Sequence, residues 1–207
     1  MKQQSRGLAV ITGASSGIGA VYADRLARRG YDLLLVARSQ ERMTDLAKKL
    51  VSETGSKVQV LAADLVDSND LAKLEHILSD DSRVTLLVNN AGAGATAPLL
   101  NSDIAGMGRM IALNVEALTR LTYAVVPAFV KRGAGVIINI GSIVAIAPSV
   151  SMACMAARRL LCVVSANRCG MSWPTLESKS RSCCPERQPR ISGTKRANRS
   201  NNCRGKS

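Results

Sequence analysis

The sequence predicts an α/β fold built on a doubly wound parallel sheet, and three observations carry that expectation. Strand-like runs at 8–12, 32–37, 57–62, 84–89 and 135–140 alternate with helical stretches. The runs Leu8–Ile11, Leu33–Val36 and Leu86–Val88 are continuously apolar, as parallel strands covered by helices on both faces require. With 16 glycines, only one Trp, three Tyr and one Phe, and 46% apolar side chains in 207 residues, the chain suits one domain with a core of Val, Ile, Leu and Ala. The same composition disfavours an all-β sandwich or an aromatic platform for nucleic acid.

The first strand runs directly into Thr12, Gly13, Ala14, Ser15, Ser16, Gly17, Ile18 and Gly19, and these open a helix with Val21 and Leu26 among its apolar positions. The second strand ends at Val36, Ala37, Arg38 and Ser39, with Arg42 one turn later; the third is followed by Asp64 and Leu65; the fourth closes on Asn89, Asn90, Ala91 and Gly92. Ile104, Met107, Ile111, Val115, Leu118, Leu121 and Val125 then recur every three or four residues. They predict a long amphipathic helix that ends near Gly133 and carries Asn114 within it. Tyr123, on the same helix, is read as a packing residue. The fifth strand leads to Ser142.

Beyond about residue 157 the pattern changes. Residues 1–154 carry 16 Lys/Arg and 13 Asp/Glu, whereas residues 155–207 carry 12 and 2, so the net charge of +13 belongs mainly to the tail. All six cysteines, Cys154, Cys162, Cys169, Cys183, Cys184 and Cys203, also lie there without a C-x-x-C pair, which disfavours a zinc ribbon. The expected division is therefore one Rossmann-type α/β domain over 1–170 and a basic tail over 171–207 that stays disordered. Residues 133–157 lack charge, yet Gly133, Gly135, Asn139, Gly141, Ser142, Pro148 and Ser149 interrupt them, so no membrane span is expected. The apolar stretch near the start is too short for a secretory leader and runs into a glycine loop; a cytoplasmic chain is expected.

A pyrophosphate approaching a helix N-terminus meets unpaired backbone N–H groups and the positive end of the dipole, and glycines let the main chain come close. Gly13, Gly17 and Gly19 fit that use in a Rossmann-type frame, although a plain tight strand-to-helix turn would also employ them. No carboxylate stands at the end of the second strand to hold a ribose 2′-hydroxyl. Arg38 and Ser39 suit a 2′-phosphate instead, favouring NADP over NAD, with a solvated helix-start arginine as the other reading.

Residues 7–154 resemble the classical short-chain dehydrogenase/reductase family through the glycine loop, Asp64, Asn89-Asn90-Ala91-Gly92, Asn114 and Ser142, in order and at the ends of the right strands. The resemblance implies that Gly13, Ser15, Ser16, Gly17, Ile18, Gly19, Arg38, Ser39, Asp64, Leu65, Asn90, Ala91 and Gly92 line an NADP site, with Asp64 near the adenine. It implies hydride transfer to or from a small-molecule carbonyl or secondary alcohol, with Asn114 holding a relay water and Ser142 bonding the substrate oxygen. It also implies a homo-oligomer; from the cysteine spacing, no metal site is expected.

The family's tyrosine and lysine belong 13 and 17 residues after the serine, where this chain has Met155 and Arg159. A thioether has no proton to give, and an arginine does not replace the phenol. A frame offset of one base after Cys154 can recover Tyr-x-x-x-Lys at this place and Pro-Gly at Pro185-Glu186, so the tail reads as out-of-frame sequence and the sheet as truncated. The resulting expectations are an impaired oxidoreductase or a nucleotide-binding pseudoenzyme; specific nucleic-acid binding through the tail ranks last.

Overall fold

The computed structural model describes residues 5–94 and 103–141. Within them are five strands, β1 (Leu8–Thr12), β2 (Asp32–Ala37), β3 (Val58–Ala62), β4 (Val84–Asn89) and β5 (Val136–Asn139). They alternate with α1 (Gly17–Arg28), α2 (Gln40–Thr54), α3 (Ser68–Asp80), α4 (Ile104–Ile111) and α5 (Leu118–Arg132), and a π-helical stretch, Ala112–Ala117, joins the last two. The strands pair in parallel throughout, in the order β3-β2-β1-β4-β5. This is the doubly wound, Rossmann-type sheet expected from the continuous apolar runs, with β3 and β5 slightly shorter than those runs suggest.

Two helical layers divide the core. On one face Leu71, Leu74 and Leu78 of α3 and Leu121, Val125 and Phe129 of α5 pack against Val10, Leu34, Val36 and Leu87. On the other, Ala23 and Leu26 of α1 and Met43 and Leu50 of α2 cover Ala9, Ile11, Leu33, Leu35 and Val88. Adjacent strand residues thus go to opposite layers, as the two-residue period demands. The register of β1 against β4 shifts between Leu8 and Ala9, so Val84 and Leu87 reach the same layer although three residues apart.

The long helix departs from its expected phase. Met110, Asn114, Ala117, Leu121, Val125 and Phe129 are buried, whereas Ile104 and Ile111 are exposed. A π turn takes about 4.4 residues against the α-helix's 3.6. Six such residues rotate α4 by roughly 100° relative to α5, which takes the two isoleucines off the buried stripe; Asn114 lies on it, four residues after Met110 and three before Ala117. Tyr123 is not a packing residue: it is 77% exposed. The sheet-facing positions of α5 are Leu121 and Val125, and Tyr123, midway between them, points the other way.

The amino-terminal edge of the sheet is held by one guanidinium. Arg132 donates to the carbonyls of Ser82 (2.9 Å), Val84 (2.7 Å) and Ala134 (3.1 Å) and lies over the Phe129 ring, 5.3 Å from its centroid. It thereby ties the end of α5 to the starts of β4 and β5. No helix among the described residues is long and apolar enough to cross a membrane. Ser142, Met155, Arg159, all six cysteines and the 171–207 tail lie outside the described residues. Arg132→Ala is expected to lower unfolding free energy by about 2 kcal/mol in a urea titration, with Arg132→Lys recovering only part of it.

Candidate functional site

The strand order places β1 between β2 and β4, where successive connections leave in opposite directions. In open α/β sheets, ligands lodge beyond the carboxyl ends of the strands at such a point. The last residue of β1, Thr12, is buried there. Its hydroxyl donates to the carbonyl of Val88 (3.2 Å) and accepts from the main-chain N–H groups of Asn90 and Ala91 (3.0 Å each). In return, Asn90 Nδ2 donates to the carbonyls of Thr12 and Gly13, both at 3.0 Å. The β1–α1 turn and the segment after β4 are therefore one bonded unit.

The three glycines of the turn have different reasons to be glycine. Gly13 has φ +65°, and a Cβ on it would come within 2.8 Å of Asn90 Nδ2 and 2.9 Å of Ala91 Cα. Gly19 is buried, and a Cβ there would strike the Gly13 carbonyl. These two serve the approach of α1 to the strands. Gly17, at φ +56°, opens α1 with nothing within 4 Å of an added Cβ, so its exposed backbone leaves room for an incoming group.

Capping separates the helices into two kinds. Asp67 caps α3, accepting from Asn69 N and Asp70 N, and Asp103 caps α4 from Ala105 N and Gly106 N. Ser16 on α1 and Ser39 on α2 make no side-chain cap bond, and the first turn of α1 holds no acidic residue. The opening N–H groups of α1, which have no intrahelical partner by geometry, remain available to an anion beside Gly17, and Ile18 on the same turn is 56% exposed.

Past β2, Arg38 is exposed and makes no ion pair among the described residues, Ser39 is partly buried, and Arg42 is exposed one turn on. A guanidinium, a hydroxyl and an uncapped helix start gathered there match a phosphate dianion. Past β3, Asp64 accepts from Val66 N and donates its own N–H to Asp70. That donation, followed by the Lys73 ammonium, holds the Asp70 carboxyl below the usual carboxylate range. Leu65 is buried in the core, so it can offer a ligand only its main chain.

Beyond β4, Asn114 reaches the same segment from the π-helical stretch. Its Oδ1 accepts from Ala93 N (3.2 Å), and its Nδ2 donates to the carbonyls of Ala93 (3.1 Å) and Met110 (2.6 Å). A Cβ on Gly92 would lie 2.8 Å from that oxygen. Asn89 Nδ2 donates to Thr122 Oγ1 on α5 (3.1 Å) and to Asn139 Oδ1 at the end of β5 (3.0 Å), while Asn89 Oδ1 is buried without a partner.

The structure thus brings Gly13, Ser15, Ser16, Gly17, Ile18 and Gly19 to one edge of the sheet with Arg38, Ser39, Asp64, Asn90, Ala91, Gly92 and Asn114. It gives Asn90 and Asn114 clamping bonds within the protein. Thr12, Thr122 and Asn139 were not singled out as site residues from the sequence. The available signal was a polar residue ending an apolar strand, which Thr12, Asn89 and Asn139 all are.

A family model for the short chain dehydrogenases matches residues 7–158. The chain is 36% identical over 138 residues to very-long-chain 3-oxoacyl-CoA reductase-A of Danio rerio, covering 65% of this chain and 43% of that protein. It is 37% identical over 142 residues to sulfoacetaldehyde reductase 2 of Chromohalobacter salexigens, covering 66% and 54%. Among solved structures it superposes on a bulky-bulky ketone specific alcohol dehydrogenase from Comamonas testosteroni with TM-score 0.77 and 41% identity, over 79% of this chain and 66% of that one. A short-chain dehydrogenase from Sphingobium yanoikuyae in complex with NADPH gives TM-score 0.76 and 45% identity, over 78% and 63%. The chain spans about half the length of the curated relatives it matches.

Thr12→Val keeps the shape of the side chain but removes three hydrogen bonds and strands the Ala91 N–H, while Asn90 N and the Val88 carbonyl keep only their bond to each other at 3.1 Å. Urea unfolding should show a loss of about 3 kcal/mol, largely recovered by Thr12→Ser.

Proposed function

The chain belongs to the short-chain dehydrogenase family, and from that premise we propose that it binds NADP(H) along the carboxyl edge of its sheet. The observation that carries this reading is the uncapped start of α1 at the switch point, opened by Gly17 and set by the Thr12–Asn90 bonds. The residues present fit the coenzyme. The turn Gly13–Gly19 offers N–H groups to a pyrophosphate. Arg38 and Ser39 supply the charge and hydroxyl for a 2′-phosphate where an NAD site would carry a carboxylate, and Asp64 stands past β3 for the adenine. The NADPH complex of the Sphingobium yanoikuyae relative supports the choice of NADP.

The bound coenzyme supplies or accepts a hydride, and the substrate class we assign is a small-molecule carbonyl or secondary alcohol. Ser142, by resemblance, bonds the substrate oxygen. Asn114 holds the 93 position through its amide while lying on the π-helical turn. The proton has no evident carrier. With Met155 and Arg159 in the tyrosine and lysine positions, the reading is a coenzyme-binding chain with impaired turnover. We assign this function to the cytoplasm. The basic segment 171–207 has no part in this function.

Calorimetry with NADPH should give saturable binding, and Arg38→Ala should weaken NADPH about tenfold or more while leaving NADH unchanged. No heat from either coenzyme on folded protein would overturn the reading. Met155→Tyr combined with Arg159→Lys should raise carbonyl reduction by about a hundredfold or more, measured as NADPH oxidation against a panel of ketones and aldehydes.

A further inference from the structure

Three polar side chains are buried among the described residues: Thr12, Asn89 and Asn114. All three bear on one segment. Thr12 holds Asn90 N and Ala91 N, Asn114 holds Ala93 through both its N–H and its carbonyl, and Asn89 is the residue from which the segment departs. Elsewhere the buried sheet positions are aliphatic.

Asn89 extends this grip to two further elements. It is in register with Asn139 on β5, and its amide bonds both Asn139 Oδ1 and Thr122 Oγ1, while Ile140 N donates to the Asn89 carbonyl at 3.0 Å. Turning the Asn89 amide over would aim its oxygen at Thr122 and leave its nitrogen as the orphan, so either orientation leaves one buried atom unpaired. Two aliphatic residues would pack here at less cost, which makes stability a poor reason for the amides and geometry a good one.

On the coenzyme reading given above, the pyrophosphate sits at α1 and the 2′-phosphate past β2, so the other half of the dinucleotide extends towards β4 and β5. We propose that Thr122 and Asn139 are positioning residues: through Asn89 they lock the ends of β4 and β5 and the 90–93 segment into the one arrangement that receives the nicotinamide half. The proposal rests on the coenzyme reading.

The test uses the full chain, with NADPH and adenosine 2′,5′-bisphosphate, the fragment lacking the nicotinamide half, as calorimetric probes. Asn139→Val and Thr122→Val should each weaken NADPH about fivefold or more and leave the fragment's affinity unchanged, with the melting temperature held within about 2 °C. Thr122→Ser should restore NADPH affinity. Unchanged NADPH binding in both valine variants, or equal weakening of both ligands, would mean that the bonds serve only the fold and would overturn the proposal. A parent chain that binds the fragment but gains nothing from the nicotinamide half also overturns it and leaves the 2′-phosphate reading standing. One that binds neither overturns the coenzyme reading itself. Should Asn139→Val not fold, Thr122→Val and its serine counterpart decide alone.

Discussion

One hydroxyl organises the working edge of this molecule. Thr12 spends its single proton on Val88 and both lone pairs on the N–H groups of Asn90 and Ala91, so nothing of its capacity is left over. Those bonds hold the turn into α1 and the exit from β4 at one separation. Asn90 answers with two bonds to the carbonyls of Thr12 and Gly13. A nucleotide laid across the switch point meets surfaces whose spacing is set before it arrives. Such preorganisation lets binding proceed without ordering a loop.

Polar groups are distributed by purpose. The helices α3 and α4 satisfy their own N-termini, through Asp67 and Asp103, while α1 and α2 begin at serines that make no such bond. Salt bridges show the same division. Arg120 meets Glu75 through both carboxylate oxygens, 2.6 and 2.7 Å, and joins α5 to α3, and Arg28 bridges α1 to α2 through Glu53. Arg38, beside the site, has no carboxylate partner among the described residues. The charges that fasten helices together lie on their flanks, and Arg38 and Arg42, which take no part in that fastening, stand where an anionic ligand would arrive.

The strands, their parallel order and the turn after β1 could be read from the chain because each depends on local pattern. Unbroken apolar runs such as Leu33–Val36 have few ways to be buried other than between two helical layers. Gly13 and Gly19 betray a close approach by their identity alone. What could not be read depends on distant partners. Asn90 looks like a turn residue until Thr12, 78 positions earlier, is beside it. The periodic apolar residues from Ile104 to Val125 suggest a uniform helix, and no composition marks where one turn widens. The outward direction of Tyr123 follows from which neighbours α5 covers, and the roles of Thr122 and Asn139 from the pairing of β4 with β5.

The widened turn at Ala112–Ala117 sets foldability against use. Removing a single codon there would close the turn to regular winding and leave α4 in its present phase, since one residue and the widening are each worth about 100°, while taking away the excess turn on which Asn114 meets Ala93. The sturdier helix would be the emptier one. Lineages that drift towards robustness can thus erase this corner of the site by an in-frame deletion that a search for damaged cores would pass as harmless.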